Sequence, residues 1–257
     1  MVRAISRHSY LIDAMKPTDV EGMVSSLSRC AEVHHIGAMA FSSAMFGIAC
    51  PFILGLSATP DRKDGLSRVM HWFMGPIAFQ FGLTGQAHVK VDIMRTAYDD
   101  PVPLNRRGDV CFASMITNLA ESPHRTQIIV AAAKRASVSH DVLVLSHRRE
   151  HCKVMCKALC AQSVDAAVYL GGDATCPQSK VVVATYALAS EGFDCPRLTA
   201  LVLATPASDV VQACGRIMRG GNVGSKCLIV DVLDDFGIAY AMFAKRKKYY
   251  TKVGFAM

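Results

Sequence analysis

The sequence predicts an α/β protein in which helices cover a parallel β-sheet, and two observations carry that expectation. From residue 141 onward, short runs of β-branched and apolar residues alternate with stretches of helical period, the pattern of strands buried on both faces. Hydrophobic residues make up 51% of the 257 and charged residues 19%, which supplies a sizeable core and excludes disorder or low complexity as the main description.

Taken in order, residues 1–31 show neither a clear strand nor an amphipathic period, and no element is assigned to them. Residues 36–58 carry no charge and are long enough to span a bilayer, but Pro51 divides the run and Ser42, Ser43 and Ser57 interrupt it. A helix, a turn and a buried strand from Phe52 to Ser57 are expected there rather than a membrane span. His88 to Met94 alternates weakly, as an extended segment does. Residues 99–110 concentrate proline and charge and are expected to link two structural units, 1–98 and 111–257. Asn118 to Ala136 is helix-rich. Strands are expected at Val142 to Leu145, Ala167 to Leu170, Val181 to Thr185, Ala200 to Ala204 and Cys227 to Asp231. Between the first two, a helix from His147 to Ala161 is expected, with Ser146 as N-cap and Cys152, Met155, Cys156 and Leu159 as its apolar stripe. Gly171 to Lys180 joins two of these strands in fewer residues than a parallel crossover usually takes.

Lys and Arg total 28 against 21 Asp and Glu, a net charge of +7 that suits a polyanionic partner without requiring one. Ten cysteines in a chain of this length, with no apolar leader at its start, fit a reducing, intracellular and non-membrane setting better than a disulfide scaffold.

The strongest local signal is SDVVQACGRIMRG at residues 208–220. Ser208 or Asp209 caps a helix whose Val211, Cys214 and Met218 face the core, which leaves Gln212, Arg216 and Arg219 on another face. Two guanidiniums one turn apart beside an amide suit a phosphate chain; a solvated helix face is the other reading.

At this point the sequence resembles a known family. GLSATPDRKDGL at 55–66, ATYALASEGFDCPRL at 184–198 and SDVVQACGRIMR at 208–219 are similar, in order and spacing, to motifs III, V and VI of superfamily 2 helicases. EVHHIGAMAFSSA at 32–44 and VLVLSHRREHC at 142–152 bring it nearest to the XPB and UvsW-like branch, as in the DNA helicases of large DNA viruses. The resemblance covers about residues 32–257. It implies a partial RecA-like domain within 1–98, a linker at 99–110 and a second RecA-like domain at 111–257, with ATP and Mg2+ between the domains and a DNA strand, single or forked, crossing both. It also implies roles. Glu32 would polarise the attacking water, with Gln212, Arg216 and Arg219 at the γ-phosphate. Gly192 and Asp194 would approach the nucleotide. Ser57, Ala58, Thr59 and His35 would couple hydrolysis to movement, and Thr185 would touch the nucleic-acid backbone.

The departures are as specific. No GxxxxGK[ST] occurs in the 257 residues. GGNVGSKC at 220–227 lacks the second glycine and the Ser or Thr, and follows a helix instead of a strand, so it is expected to be a turn. Ala31 stands where the Walker B aspartate belongs. On these grounds the chain alone is expected to be inactive as an ATPase, with a separate chain as one source of the Walker A half. The alternative is a truncated, non-catalytic RecA-like module that binds nucleic acid or a partner. Two weaker candidates remain: His147, His151, Cys152, Cys156 and Cys160 at helical spacing, either a metal set or core, and Lys245 to Lys248 before Tyr249 and Tyr250, either a phosphate-binding run or a solvated face.

Overall fold

The computed structural model describes residues 3–6, 27–31, 36, 39–46, 52–57, 64–80, 88–171, 176–190, 195–218 and 226–257. The chain divides into two compact units, Met1–Leu83 and Thr84–Met257.

The first unit holds β1 (Arg3–Ser6), β2 (Leu27–Ala31), α1 (Met39–Phe46), β3 (Phe52–Ser57), α2 (Ser67–Met74) and β4 (Ile77–Gln80). The uncharged run thus contains a short helix and the expected strand, and no described helix is long and apolar enough to cross a membrane. The sheet order is β2-β3-β1-β4. β2 runs parallel to β3, whereas β1 runs antiparallel to both β3 and β4. Residues 1–31 therefore supply two strands that no sequence pattern announced. Each is four or five residues long, too short for a period to show, and their pairing is non-local. Ile36, Met45, Ile53, Met70 and Met74 form the unit's core cluster.

The second unit contains β5 (Val89–Arg95), α3 (Phe112–Glu121), α4 (Pro123–Ser137), β6 (Val142–Ser146), α5 (Arg149–Ala161), β7 (Ala166–Tyr169), β8 (Val181–Thr185), α6 (Tyr186–Ser190), β9 (Ala200–Leu203), α7 (Val211–Ile217), β10 (Cys227–Leu233) and α8 (Gly237–Val253). Six strands in the order β5-β10-β9-β6-β8-β7 make one sheet, every pair parallel. The expected α/β class and its five C-terminal strands are present, each within three residues of its expected ends.

Alternate strand residues face opposite sides. Val142, Val144, Val181, Val183, Val202, Val230 and Val232 pack with Ile129, Ala133, Met155 and Leu159 of α4 and α5. Leu143, Leu145, Val182, Leu201 and Leu203 are buried on the opposite side, where α6, α7 and α8 pack against β6, β9 and β10. Full burial of each such side chain contributes roughly 1.5–3 kcal/mol.

Several expectations are corrected. Val89–Arg95 belongs to the second unit, pairing with β10 from Val89↔Cys227 to Arg95↔Leu233, so the division falls before residue 88 and not at 99–110. Residues 99–110 are an ordered loop of that unit. Leu104 bridges Val110, Asn105 Oδ1 accepts from the amides of Arg107 and Asp109, and Gly108 takes a φ of +82°, which favours glycine. The helix-rich stretch is two helices, divided at Ser122, whose hydroxyl accepts from Arg125 N at 3.4 Å, with Pro123 at the first helical position. Likewise Arg148, not Ser146, occupies the N-cap position of α5; Ser146 Oγ instead accepts from Arg148 N at 3.2 Å.

Candidate functional site

The residues singled out by sequence fall into three groups. Glu32, His35, Ala58, Thr59, Gly192, Asp194 and Arg219 lie outside the described residues. Ser57 ends β3 in the first unit and is buried. Thr185, Gln212 and Arg216 lie in the second unit, on elements that follow or end its central strands.

Thr185 is the last residue of β8, and its hydroxyl accepts from Leu188 N at 3.4 Å, starting α6. After β9, Asp209 Oδ1 accepts from Val211 N at 3.2 Å and turns the chain into α7. The helix is shorter than expected, and its faces are distributed differently: Cys214 is buried as expected, but so are Ala213, Ile217 and Arg216. Arg216, 7% exposed, donates through Nε to the carbonyl of Ala189 at 2.7 Å. That bond ties α7 to α6, so the segments matched to motifs VI and V are packed together. Gln212 is half-buried, and its Oε1 has no hydrogen-bond partner among the described residues.

Around them, other side chains set the loops. Arg197 Nη2 donates to the carbonyls of Pro177 and Ser179 at 2.6 and 2.7 Å, holding the short β7–β8 connection, and Cys176 Sγ lies 2.8 Å from Cys195 Sγ. The Lys245–Lys248 run splits: Lys245, Lys247 and Lys248 are exposed, whereas Arg246 is buried, with Nε and Nη2 on Asp231 at 2.8 and 2.7 Å and Nη1 on the Ala207 carbonyl. Tyr250 OH donates to the same Asp231 at 2.9 Å. The His and Cys residues of α5 divide too. Cys152, Met155, Cys156 and Leu159 are core, as the stripe implied, and burial pushes the Cys152 thiol up to about 12. His151 hydrogen-bonds Ser146 and Thr126 at 3.0 and 3.3 Å, and burial beside Arg125 pulls it down to about 4. Among the described residues no group of three or more His, Cys, Asp or Glu is arranged to hold a metal ion.

Sequence reasoning missed a cavity at the carboxyl ends of β6, β8 and β9, of about 460 Å3, lined in part by Phe112, His147, Tyr186, Ser208, Asp209 and Lys245. The usable signal was position: polar and aromatic residues directly after the central strands of a doubly wound sheet face its ligand crevice.

No family model matches the chain. It is 26% identical over 246 residues to "Putative ATP-dependent RNA helicase L396" of Acanthamoeba polyphaga mimivirus, covering 86% of this chain and 46% of that protein. It is 27% identical over 234 residues to "Putative helicase 055L" of Frog virus 3, covering 87% and 51%. The chain thus spans about half the length of the relatives it matches. Among solved structures, S. cerevisiae Dbp5 bound to RNA and ADP BeF3 superposes with a TM-score of 0.60 at 13% identity, covering 94% of this chain and 63% of that one, a likeness of fold. The chain is similar in sequence to putative helicases of large DNA viruses, and its six-stranded parallel sheet flanked by helices matches the RecA-like fold of Dbp5.

Proposed function

We propose that the chain is the C-terminal part of an ATP-dependent superfamily 2 helicase or translocase that couples ATP hydrolysis to movement along DNA. The observation that carries this reading is the bond from Arg216 to Ala189, which joins the two segments matched to motifs V and VI beyond the carboxyl ends of β8 and β9. In such an enzyme ATP with Mg2+ supplies the phosphoryl transfer, which depends on positioning and charge neutralisation more than on covalent chemistry. On this chain the residues for that task are Gln212, Arg216 and Arg219 toward the phosphates, Gly192 and Asp194 toward the nucleotide, and Glu32 toward the attacking water. Ser57, Ala58, Thr59 and His35 transmit the change, and Thr185 meets the strand. Of these, Gln212 has a buried Oε1 with no partner among the described residues, an acceptor that fits a donor such as the attacking water, while its amide NH2 is the group able to donate to a phosphate. Arg216 is held by the Ala189 carbonyl through Nε, and a phosphate would meet its Nη donors, so the α6–α7 contact positions the guanidinium. The non-catalytic alternative is favoured by Ala31 in place of the Walker B aspartate, and one pair of assays separates the two readings.

Equilibrium binding of the chain to single-stranded DNA, with RNA of the same sequence as competitor, is expected to be weak, sequence-independent and steeply salt-dependent, because counterion release drives phosphate contacts. Salt-insensitive or sequence-specific binding contradicts the reading, and preferential loss to RNA reassigns the strand. Phosphate release by the chain alone is expected to stay far below about 1 per second. Joined by a polypeptide carrying the Walker A half, it is expected to rise on adding DNA; DNA binding without any such rise supports the non-catalytic module.

A further inference from the structure

The cavity at the carboxyl ends of β6, β8 and β9 sits where a doubly wound sheet opens. From β6 the chain passes through α5 toward β7 and β8 on one side, and from β9 it passes through α7 toward β10 on the other. The two connections leave neighbouring strands in opposite directions and part above them, which is the general position of ligands on such sheets. A volume of about 460 Å3 lies inside the ~300–1,000 Å3 range of small-ligand sites.

One wall is aromatic and fixed, and Ile238, Ala241 and Met242 line the cavity further. The Phe112 and His147 rings meet edge to face with centroids 5.8 Å apart, and His147 and Tyr186 lie 4.5 Å apart, tilted by 37°. Thr205 holds the second pair: its hydroxyl accepts from His147 N at 3.1 Å and hydrogen-bonds the imidazole Nδ1 at 2.8 Å, while its carbonyl accepts from Tyr186 OH at 2.9 Å. Burial and the nearby Arg148 pull His147 down to about 4, so near pH 7 the imidazole is a neutral ring. Phe112 is 40% exposed and presents apolar surface to an entering group. The polar groups are few. Lys245 is exposed at the rim, with Lys247 and Lys248 exposed farther along the same helix. Asp209 Oδ1 accepts from Val211 N at 3.2 Å, and its carboxylate has further acceptor capacity.

We propose that this cavity takes a nucleobase with its phosphate: the base stacks on the Phe112, His147 and Tyr186 cluster, an N–H on its edge donates to Asp209, and the phosphate lies toward Lys245. Every base has a π-face, so such a platform is tolerant of sequence. The base comes from the strand that meets Thr185, because Tyr186 follows it directly in the chain; in that respect the inference rests on the nucleic-acid reading above. A free mononucleotide is the other source of the same chemistry.

The test uses the full chain and a short single-stranded oligonucleotide bearing 5-iododeoxycytidine, followed by photocrosslinking and mass spectrometry of the peptides. Crosslinks are expected on the peptides containing Phe112 or Tyr186. Phe112→Ala is expected to weaken binding roughly 5- to 100-fold with the salt dependence unchanged, and Phe112→Tyr to restore it. Lys245→Ala is expected to reduce the slope of log K against log salt by about 0.7, the loss of one phosphate contact on a single strand. Undiminished binding by Phe112→Ala, with crosslinks elsewhere, overturns the cavity and leaves the nucleic-acid reading standing. No binding by the unaltered chain overturns both. Labelling of the same peptides by 8-azidoadenosine monophosphate, with none from the oligonucleotide, upholds the base chemistry and overturns the strand as its source.

Discussion

Two buried ionisable groups define the residue scale of this molecule. Arg246 reads in the sequence as one of four basic residues before two tyrosines, and its neighbours are exposed. Its own guanidinium is fully committed to Asp231 and to the backbone ahead of α7. Removing one partner of such a pair strands a charge in the core, so Arg246→Leu is expected to destabilise the protein by about 3–5 kcal/mol, while Lys247→Ala changes stability little; equal denaturation midpoints for the two would contradict the pairing. His151 makes the second case. Its imidazole titrates near 6.5 when unfolded and about 4 when folded, so folding favours the neutral ring. Stability from this group is complete above about pH 6.5 and is lost as pH falls through 4, by about 3 kcal/mol at most. Urea titrations from pH 7 to 4 are expected to show a shallower acid loss for His151→Gln; parallel curves would assign the acid sensitivity to other groups.

At the scale of elements, α6 and α7 are five and seven residues long, too short to be stable as isolated helices. They persist through caps and packing: the Thr185 hydroxyl starts α6, Asp209 starts α7, and Arg216 joins them. Arg216→Ala therefore removes a charged donor from a buried carbonyl. It is expected to lower stability by about 1–3 kcal/mol with no nucleotide present, read as a drop in the thermal midpoint. An unchanged midpoint, together with lost activity in a completed enzyme, would make Arg216 a phosphate ligand with no structural share. The glutamine one turn before it behaves differently, since Gln212 Oε1 is buried without a partner among the described residues and contributes no such bond.

Across the whole molecule, the two units differ in kind. The second buries a continuous parallel sheet between helices on both faces. The first has a small core cluster under a mixed four-stranded sheet and exposes Trp72 at 77% and Phe46 at 82%. Hydrogen exchange is expected to follow these cores: amides of β6, β8 and β9 should exchange slowest, and those of β3 and β4 much faster. β5 is expected to exchange with the slow group because it pairs with β10 along its whole length. If Val89–Arg95 instead exchanges with the first unit, the boundary belongs at 99–110 after all. Protection of β3 equal to that of β8 would show the first unit to be as stable as the second.

By itself the sequence determined the fold class, the five C-terminal strands and the stripe of α5, because each is written in local periodicity: alternating or continuous apolar runs, and Cys152, Met155, Cys156 and Leu159 three or four residues apart. It also carried the segments matched to motifs III, V and VI, since chemistry of that type is encoded in contiguous residues. Tertiary structure alone decided what depends on distant partners. β5 finds β10 across more than a hundred residues, and β1 and β2 are strands only because β3 lies between them. Arg246 is core because Asp231 faces it, and the cavity joins Phe112, His147, Tyr186 and Lys245 from four separate stretches of chain. Periodicity reports which side of an element is buried; it carries no record of which element arrives to bury it.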